Sequence, residues 1–147
     1  EAITGVVAEG KALAWGVSNY ASWQILEMLV FCDAHRLPHP LVAQQLYNLL
    51  IRQLDLEYAA FARRYPVPTA IYNPLAGGLL AGGYEAQGEP PSGSRFDGNR
   101  LYQRRYWTDR MLERTAAYRA VGGFDARLEH FRRRSCCCVS IELVETK

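Results

Sequence analysis

The sequence reads as an α/β protein with parallel strands, and three observations carry that reading. Apolar runs of strand length recur at Leu13 to Val17, Leu41 to Leu46 and Val67 to Tyr72. Helix-compatible stretches separate them, so the order is strand, helix, strand, helix, strand, with connections long enough for parallel βαβ units. The first and third runs lead into small polar residues, at Gly16-Val17-Ser18-Asn19-Tyr20 and at Tyr72-Asn73-Pro74-Leu75-Ala76-Gly77-Gly78-Leu79-Leu80. In parallel α/β architecture the carboxyl ends of the strands are where ligands bind.

The elements follow in chain order. Glu1 to Gly10 reads as the end of a helix already under way, with the expectation that an amino-terminal part was lost. Leu13 to Val17 has the continuous apolar character of a strand covered on both faces. Ser22 is the expected N-cap of a helix over residues 23–36, which ends at His35-Arg36 with Pro38 just beyond. Leu41 to Leu46 is the second strand. Leu54, Tyr58, Phe61, Ala62 and Tyr65 then share one helical face, and Pro66 and Pro68 stop that helix before the third strand, Val67 to Tyr72.

Gly82 to Gly98 holds five Gly and two Pro and reads as a long loop, functional or disordered. Asn99 to Val121 is helix-compatible and dense in Arg100, Arg104, Arg105, Arg110 and Arg114, interleaved with Tyr102, Tyr106 and Trp107. Asp109 and Glu113 sit beside Arg105, Arg110 and Arg114 at helical pairing distances, so the segment reads as a solvated helix face rather than a nucleic-acid surface. Gly122-Gly123 interrupts the helix, and the remaining residues have no place in the pattern.

Composition narrows the function. A chain of 147 residues, 49% hydrophobic and 22% charged, suits one ordinary core. Fifteen Arg stand against two Lys, yet the formal net charge of +2 is too small to drive binding to a polyanion, and no nucleic-acid partner is expected. No run approaches the roughly 18 apolar residues that a bilayer span needs, and Glu1-Ala2-Ile3-Thr4 is no signal pattern, so the expectation is a cytoplasmic protein without a membrane partner. Cys32 reads as a buried thiol. Cys136, Cys137 and Cys138 are consecutive, not spaced as metal ligands must be, and no metal site is expected.

If the strands are parallel, Ser18, Asn19, Gln44, Tyr72 and Asn73 gather at their carboxyl ends. A hydroxyl, several amides and an aromatic face together suit a planar, amide-bearing ligand such as a nicotinamide ring. Singly they are ordinary residues, since Ser-Asn is a common capping pair and a strand-end Tyr usually belongs to a core.

These motifs also carry a resemblance. Gly16 to Tyr20, then Gln44-Gln45-Leu46-Tyr47-Asn48-Leu49-Leu50, then Tyr72 to Leu80 with Ala81-Gly82-Gly83-Tyr84, resemble the aldo-keto reductase superfamily. Gly93-Ser94-Arg95-Phe96-Asp97-Gly98-Asn99, with Tyr106-Trp107 behind it, is similar to the aflatoxin-aldehyde reductase branch. The resemblance covers roughly residues 1–121. It implies a partial (β/α)8 TIM barrel, a fragment with the fifth to seventh strands, followed by an atypical tail over residues 122–147 that is disordered or frame-shifted. Three strands cannot close a barrel, so two open edges are expected.

The resemblance further implies NADPH-dependent reduction of an aldehyde or ketone, a small-molecule carbonyl substrate, to an alcohol. Ser18, Asn19 and Gln44 would hydrogen-bond the nicotinamide carboxamide, and Tyr72 would stack on the ring. Asn73, Leu75 and Gly77 would line the pyrophosphate, and the loop with Arg95, Phe96 and Asn99 would fold over cofactor or substrate. Gly83 stands where members often have Lys. The family's catalytic Tyr, with its Asp, Lys and His, would precede Glu1. Tyr20, Tyr47 and Tyr72 do not match that motif, so no catalytic residue is assigned and the isolated chain is expected to be inactive. The family's last strand and helix start, which hold the 2′-phosphate, have no counterpart in residues 122–147, where Arg132 to Cys138 reads as a shifted frame or altered splice. Because the superfamily also includes a channel accessory subunit, a non-catalytic cofactor-binding or regulatory protein is the alternative. The oligomeric state stays open.

Overall fold

The computed structural model describes residues 2–65, 67–82, 84, 88–122 and 138–140. Their chain order is α1 (Ala2–Ala8), β1 (Gly16–Ser18), α2 (Ser22–His35), β2 (Val42–Leu46), a 3₁₀ turn (Gln53–Asp55), α3 (Tyr58–Arg64), β3 (Thr69–Tyr72), a kinked 3₁₀ segment (Ala76–Ala81), α4 (Arg100–Tyr106), α5 (Asp109–Gly122) and β4 (Cys138–Ser140). They divide into two units. The first comprises Glu1–Tyr47, Arg52–Tyr72 and Cys138–Lys147, and the second Asn48–Ile51 and Asn73–Cys137, each in its described residues.

In the first unit, β1, β2 and β3 are adjacent and parallel, with α2 and the α3 segment as their crossovers. This is the α/β arrangement of a partial (β/α)8 barrel. Ser18 pairs with Gln44, Gln44 with Ala70, and Leu46 with Tyr72. The strands start later than their apolar runs because the ladder starts only where a neighbour is present. Gly16 is opposite Val42, and Leu13, upstream of that point, is fully exposed. A Cβ on Gly16 would sit 2.7 Å from the Val42 carbonyl oxygen, so the close approach of β1 to β2 requires glycine there.

Ile25, Leu29 and Cys32 bury one stripe of α2. The cap of α2 differs from expectation. Ala21 is the N-cap and its N–H donates to Gln24 Oε1 at 3.0 Å. Ser22 lies inside the helix and donates to Glu57 Oε2 at 2.7 Å, because a carboxylate is the stronger acceptor. The helix ends at Arg36, which adopts a left-handed φ of 53° while Leu37 N–H donates to Cys32 O at 2.8 Å.

The helical face expected over residues 54–65 is present, although the helix itself begins only at Tyr58. Tyr58 and Phe61 are buried with Val17, Ile25, Leu29, Ala43 and Val67, and Leu54, Ala62 and Tyr65 pack against them. β4 pairs antiparallel with β3 and covers one of the two edges that three strands alone would leave open. Sequence reasoning placed no strand in residues 122–147. Apart from Gly122 and β4 that tail, with Arg132 to Arg134, Cys136 and Cys137, lies outside the described residues, as does Gly83.

Where β2 ends, Tyr47 donates to Asp55 Oδ1 at 2.7 Å, Arg52 Nε meets Asp55 Oδ2, and the Arg52 guanidinium lies 5.4 Å above the Tyr47 ring. The Tyr47 hydrogen bond, then Arg52, holds the Asp55 carboxyl below its ordinary 3.8. A carboxylate whose pKa is lowered by folding stabilises the folded state above its unfolded pKa, and that contribution is lost as pH falls through the folded value. Burial acts oppositely on Tyr58, raising its phenol above 10.0, so its contribution is present below pH 10 and is lost as pH rises. Melting scans should therefore show an acid limb flattened by Asp55→Asn and an alkaline limb flattened by Tyr58→Phe.

In the second unit the helix expected over residues 99–121 is two helices. Trp107 N–H closes α4 on Gln103 O at 2.8 Å, and Thr108 O accepts Met111 N–H at 2.9 Å to open α5. The core holds Leu50, Ala76, Leu79, Leu80, Phe96, Tyr106 and Leu112. Asp109 and Glu113 form no ion pair with Arg105, Arg110 or Arg114 among the described residues, contrary to the expected pairing. Tyr102, Tyr106 and Trp107 turn instead into an aromatic cluster with Phe96 and Tyr84.

Candidate functional site

Strand periodicity sorts the first unit's candidates onto one face. Val17, Ala43 and Ile71 are buried, and Val17 and Ala43 belong to the helix-side core. Ser18, Gln44 and Tyr72 therefore occupy the opposite face, since side chains alternate along a strand. Ser18 and Gln44 are level in the ladder, and Tyr72 stands two residues beyond Gln44's partner Ala70. Ser18 Oγ lies 3.4 Å from Gln44 Oε1, Asn19 Nδ2 donates to Ser18 Oγ at 3.3 Å, and Asn19 N–H donates to Gln44 O at 2.9 Å. The structure thus brings Ser18, Asn19 and Gln44 into one polar group. Ser18 and Asn19 are exposed, while Gln44 and Tyr72 are half-buried.

The loop beyond Ser18 is held from below. Gln45, buried on the core side, donates its Nε2 to Tyr20 O at 2.9 Å. Asn19 itself takes a left-handed φ of 59°.

The second unit holds the other candidates. Asn73 is buried with φ 59°, and Ala76, Gly77 and Gly78 follow at φ 51°, 72° and 105°. Leu75, at φ −98° and ψ 14°, precedes left-handed Ala76. Such right-left alternation is the backbone form that makes anion-binding concavities. Left-handed Asn73 and Ala76 are strained, and strain of this kind clusters at ligand sites.

Among the loop candidates, Arg95 places its guanidinium 5.9 Å from the Tyr102 ring. Phe96 is fully buried within the aromatic cluster, and Asn99 caps α4 by accepting Tyr102 N–H at 3.2 Å. Both have structural partners that sequence reasoning did not foresee. It also assigned no role to Asn48 and Tyr102, which are hydrogen-bonded to Asn73, or to Tyr106, which accepts from Asn48. The signal for Asn48 was a lone amide between apolar residues in a motif already singled out.

Among the described residues no group of three His, Cys, Asp or Glu could hold a metal ion, and no helix is long and apolar enough to cross a membrane. Cys32 is buried, and burial raises its thiol pKa.

Residues 1–122 match the model of the aldo/keto reductase family. The chain is 38% identical over 111 residues to human aldo-keto reductase family 7 member A3, covering 71% of this chain and 33% of that protein. It is 39% identical over 114 residues to aflatoxin B1 aldehyde reductase member 2 of Rattus norvegicus, covering 74% of this chain and 31% of that protein. The chain spans about a third of the length of these curated relatives. With this match across both strand-end motifs, the chain belongs to the aldo/keto reductase family, in its aflatoxin-aldehyde-reductase-like branch.

Proposed function

We propose that this chain carries the nicotinamide-holding part of an NADPH-dependent reductase that converts aldehydes or ketones to alcohols. The observation that carries the reading is the meeting of Ser18, Asn19 and Gln44 on the sheet face that also bears Tyr72. A carboxamide needs donors and acceptors together, and this group offers a hydroxyl and two amides. Ser18, Asn19 and Gln44 would bind the carboxamide, and Tyr72 would lie against the ring. In the second unit, Asn73, Leu75 and Gly77 would line the pyrophosphate, where the left-handed backbone favours an anion. Arg95 would contribute charge from the loop. When bound, NADPH supplies the hydride for the carbonyl carbon.

Reduction also requires a proton for the developing alkoxide. Tyr20, Tyr47 and Tyr72 do not match the family's catalytic pattern on this reading, so the 147-residue chain is expected to show no turnover. The test is a fluorescence titration of the chain with NADPH, alongside NADPH oxidation with a reactive aldehyde. Tyr72→Ala should weaken binding by about 1 to 2 kcal/mol, roughly 5- to 30-fold. Ser18→Ala should cost the same or less. An unchanged dissociation constant with a sharply lower melting temperature would make Tyr72 a core residue, and aldehyde turnover would show that the proton donor lies within this chain.

A further inference from the structure

The turn that begins at Asn73 is held by side chains that no motif assigned. Asn48 is buried and fully used. Its Oδ1 accepts Leu50 N–H at 3.0 Å and Ile51 N–H at 2.9 Å, and its Nδ2 donates to Asn73 O at 3.0 Å and to Tyr106 Oη at 3.1 Å. Asn73 Nδ2 donates to Tyr102 Oη at 3.0 Å, and the Tyr102 hydroxyl also faces Asn73 Oδ1 at 3.3 Å. Asn73 O accepts a further bond from Ala76 N–H at 3.0 Å. All these residues belong to the second unit.

Left-handed backbone is costly for most residues with a Cβ, and Asn enters it with help from hydrogen bonds to its short side chain, so the partners of Asn73 favour its φ of 59°. Here both ends of the residue are tied. Asn48 fixes the carbonyl and Tyr102 fixes the side-chain amide, while Tyr106 orients Asn48. Resting on the cofactor reading above, we infer that Asn48, Tyr102 and Tyr106 are positioning residues that preform the 73–78 turn for a pyrophosphate group. Because Tyr102 and Tyr106 lie on α4, the placement of that helix is coupled to the shape of the turn. Preforming matters because a turn ordered before binding imposes no ordering cost on its ligand.

Tyr102→Phe removes only the hydroxyl and retains the ring contact with Phe96. In the 147-residue chain without cofactor, it should speed amide hydrogen exchange at Ala76 and Gly78 by about 3- to 10-fold, the scale of one lost hydrogen bond. Exchange at Ile25, in the first unit, should not change. NADPH and ADP-ribose, which share the pyrophosphate, should lose affinity by a similar factor. A glycine at residue 73 accepts a left-handed φ without support, so in an Asn73→Gly background Tyr102→Phe should change neither quantity by more than about 2-fold. Tyr106→Phe, scored in the same way, provides a second hydroxyl deletion should Tyr102→Phe fold poorly. Unchanged exchange at Ala76 and Gly78, or an equal loss in the Gly background, would overturn the inference and leave Tyr102 a packing residue. If exchange responds as stated but the chain binds neither NADPH nor ADP-ribose, the cofactor reading falls while the hold on the turn stands.

Discussion

Phe96→Ala is expected to destabilise the second unit by about 3 to 5 kcal/mol, the range for deleting a buried aromatic ring. The ring is fully excluded from solvent. Its centroid lies 4.9 Å from that of Trp107, 5.4 Å from Tyr84 and 6.1 Å from Tyr102, so its removal withdraws one partner from three aromatic contacts at once. The loop cannot readily collapse into the space, because Gly93 N–H is tied to Asp97 Oδ2 at 2.8 Å and Gln103 Nε2 to Phe96 O at 2.7 Å. Denaturant unfolding followed through Trp107 would read the loss, with Trp15 and Trp23 of the first unit replaced by Phe. Unaltered stability with weakened NADPH binding would return Phe96 to the cofactor-covering role that its loop position suggested.

That residue shows where sequence reasoning was strong and where it was weak. The order of strands and the identity of their polar ends were legible because apolar runs bounded by small residues leave few other arrangements. Ser18, Gln44 and Tyr72 accordingly stand on one face. Strand starts were less legible, since hydrogen bonding begins where a neighbour exists and not where apolar character does. The loop around Phe96 was legible as a loop from its Gly and Pro, but the same density concealed an anchor. A large aromatic side chain amid residues that cannot themselves form a core is the sign of one.

The split between α4 and α5 had a similar cause. Thr108 followed by Asp109 is a helix-start signal, yet it sits within a run of good helix formers that reads as continuous. Ser22 misled in the opposite direction, because the Glu57 that withdraws its hydroxyl from capping is remote in sequence. The role of Asn48 also depends on distant partners, Asn73 and Tyr106, and no local pattern announces them.

The second large effect is expected at Gly77, where Ala should destabilise the same unit for two separable reasons. At φ 72° a Cβ carries the left-handed penalty, about 1 to 2 kcal/mol. That Cβ would also lie 2.9 Å from Phe96 Cζ and 3.3 Å from Tyr102 Cδ1 and Cε1. A ring tip at an open surface could swing away, but Phe96 is fully buried, so the contact should add about 1 to 3 kcal/mol of overpacking. A double-mutant cycle distinguishes the two contributions. Shortening the neighbour with Phe96→Leu should relieve the contact but not the backbone strain, giving a favourable coupling of about 0.5 to 3 kcal/mol when Gly77→Ala and Phe96→Leu are combined. Strict additivity in denaturant unfolding would mean that the ring does not press on residue 77, and that glycine is required there for its backbone conformation alone.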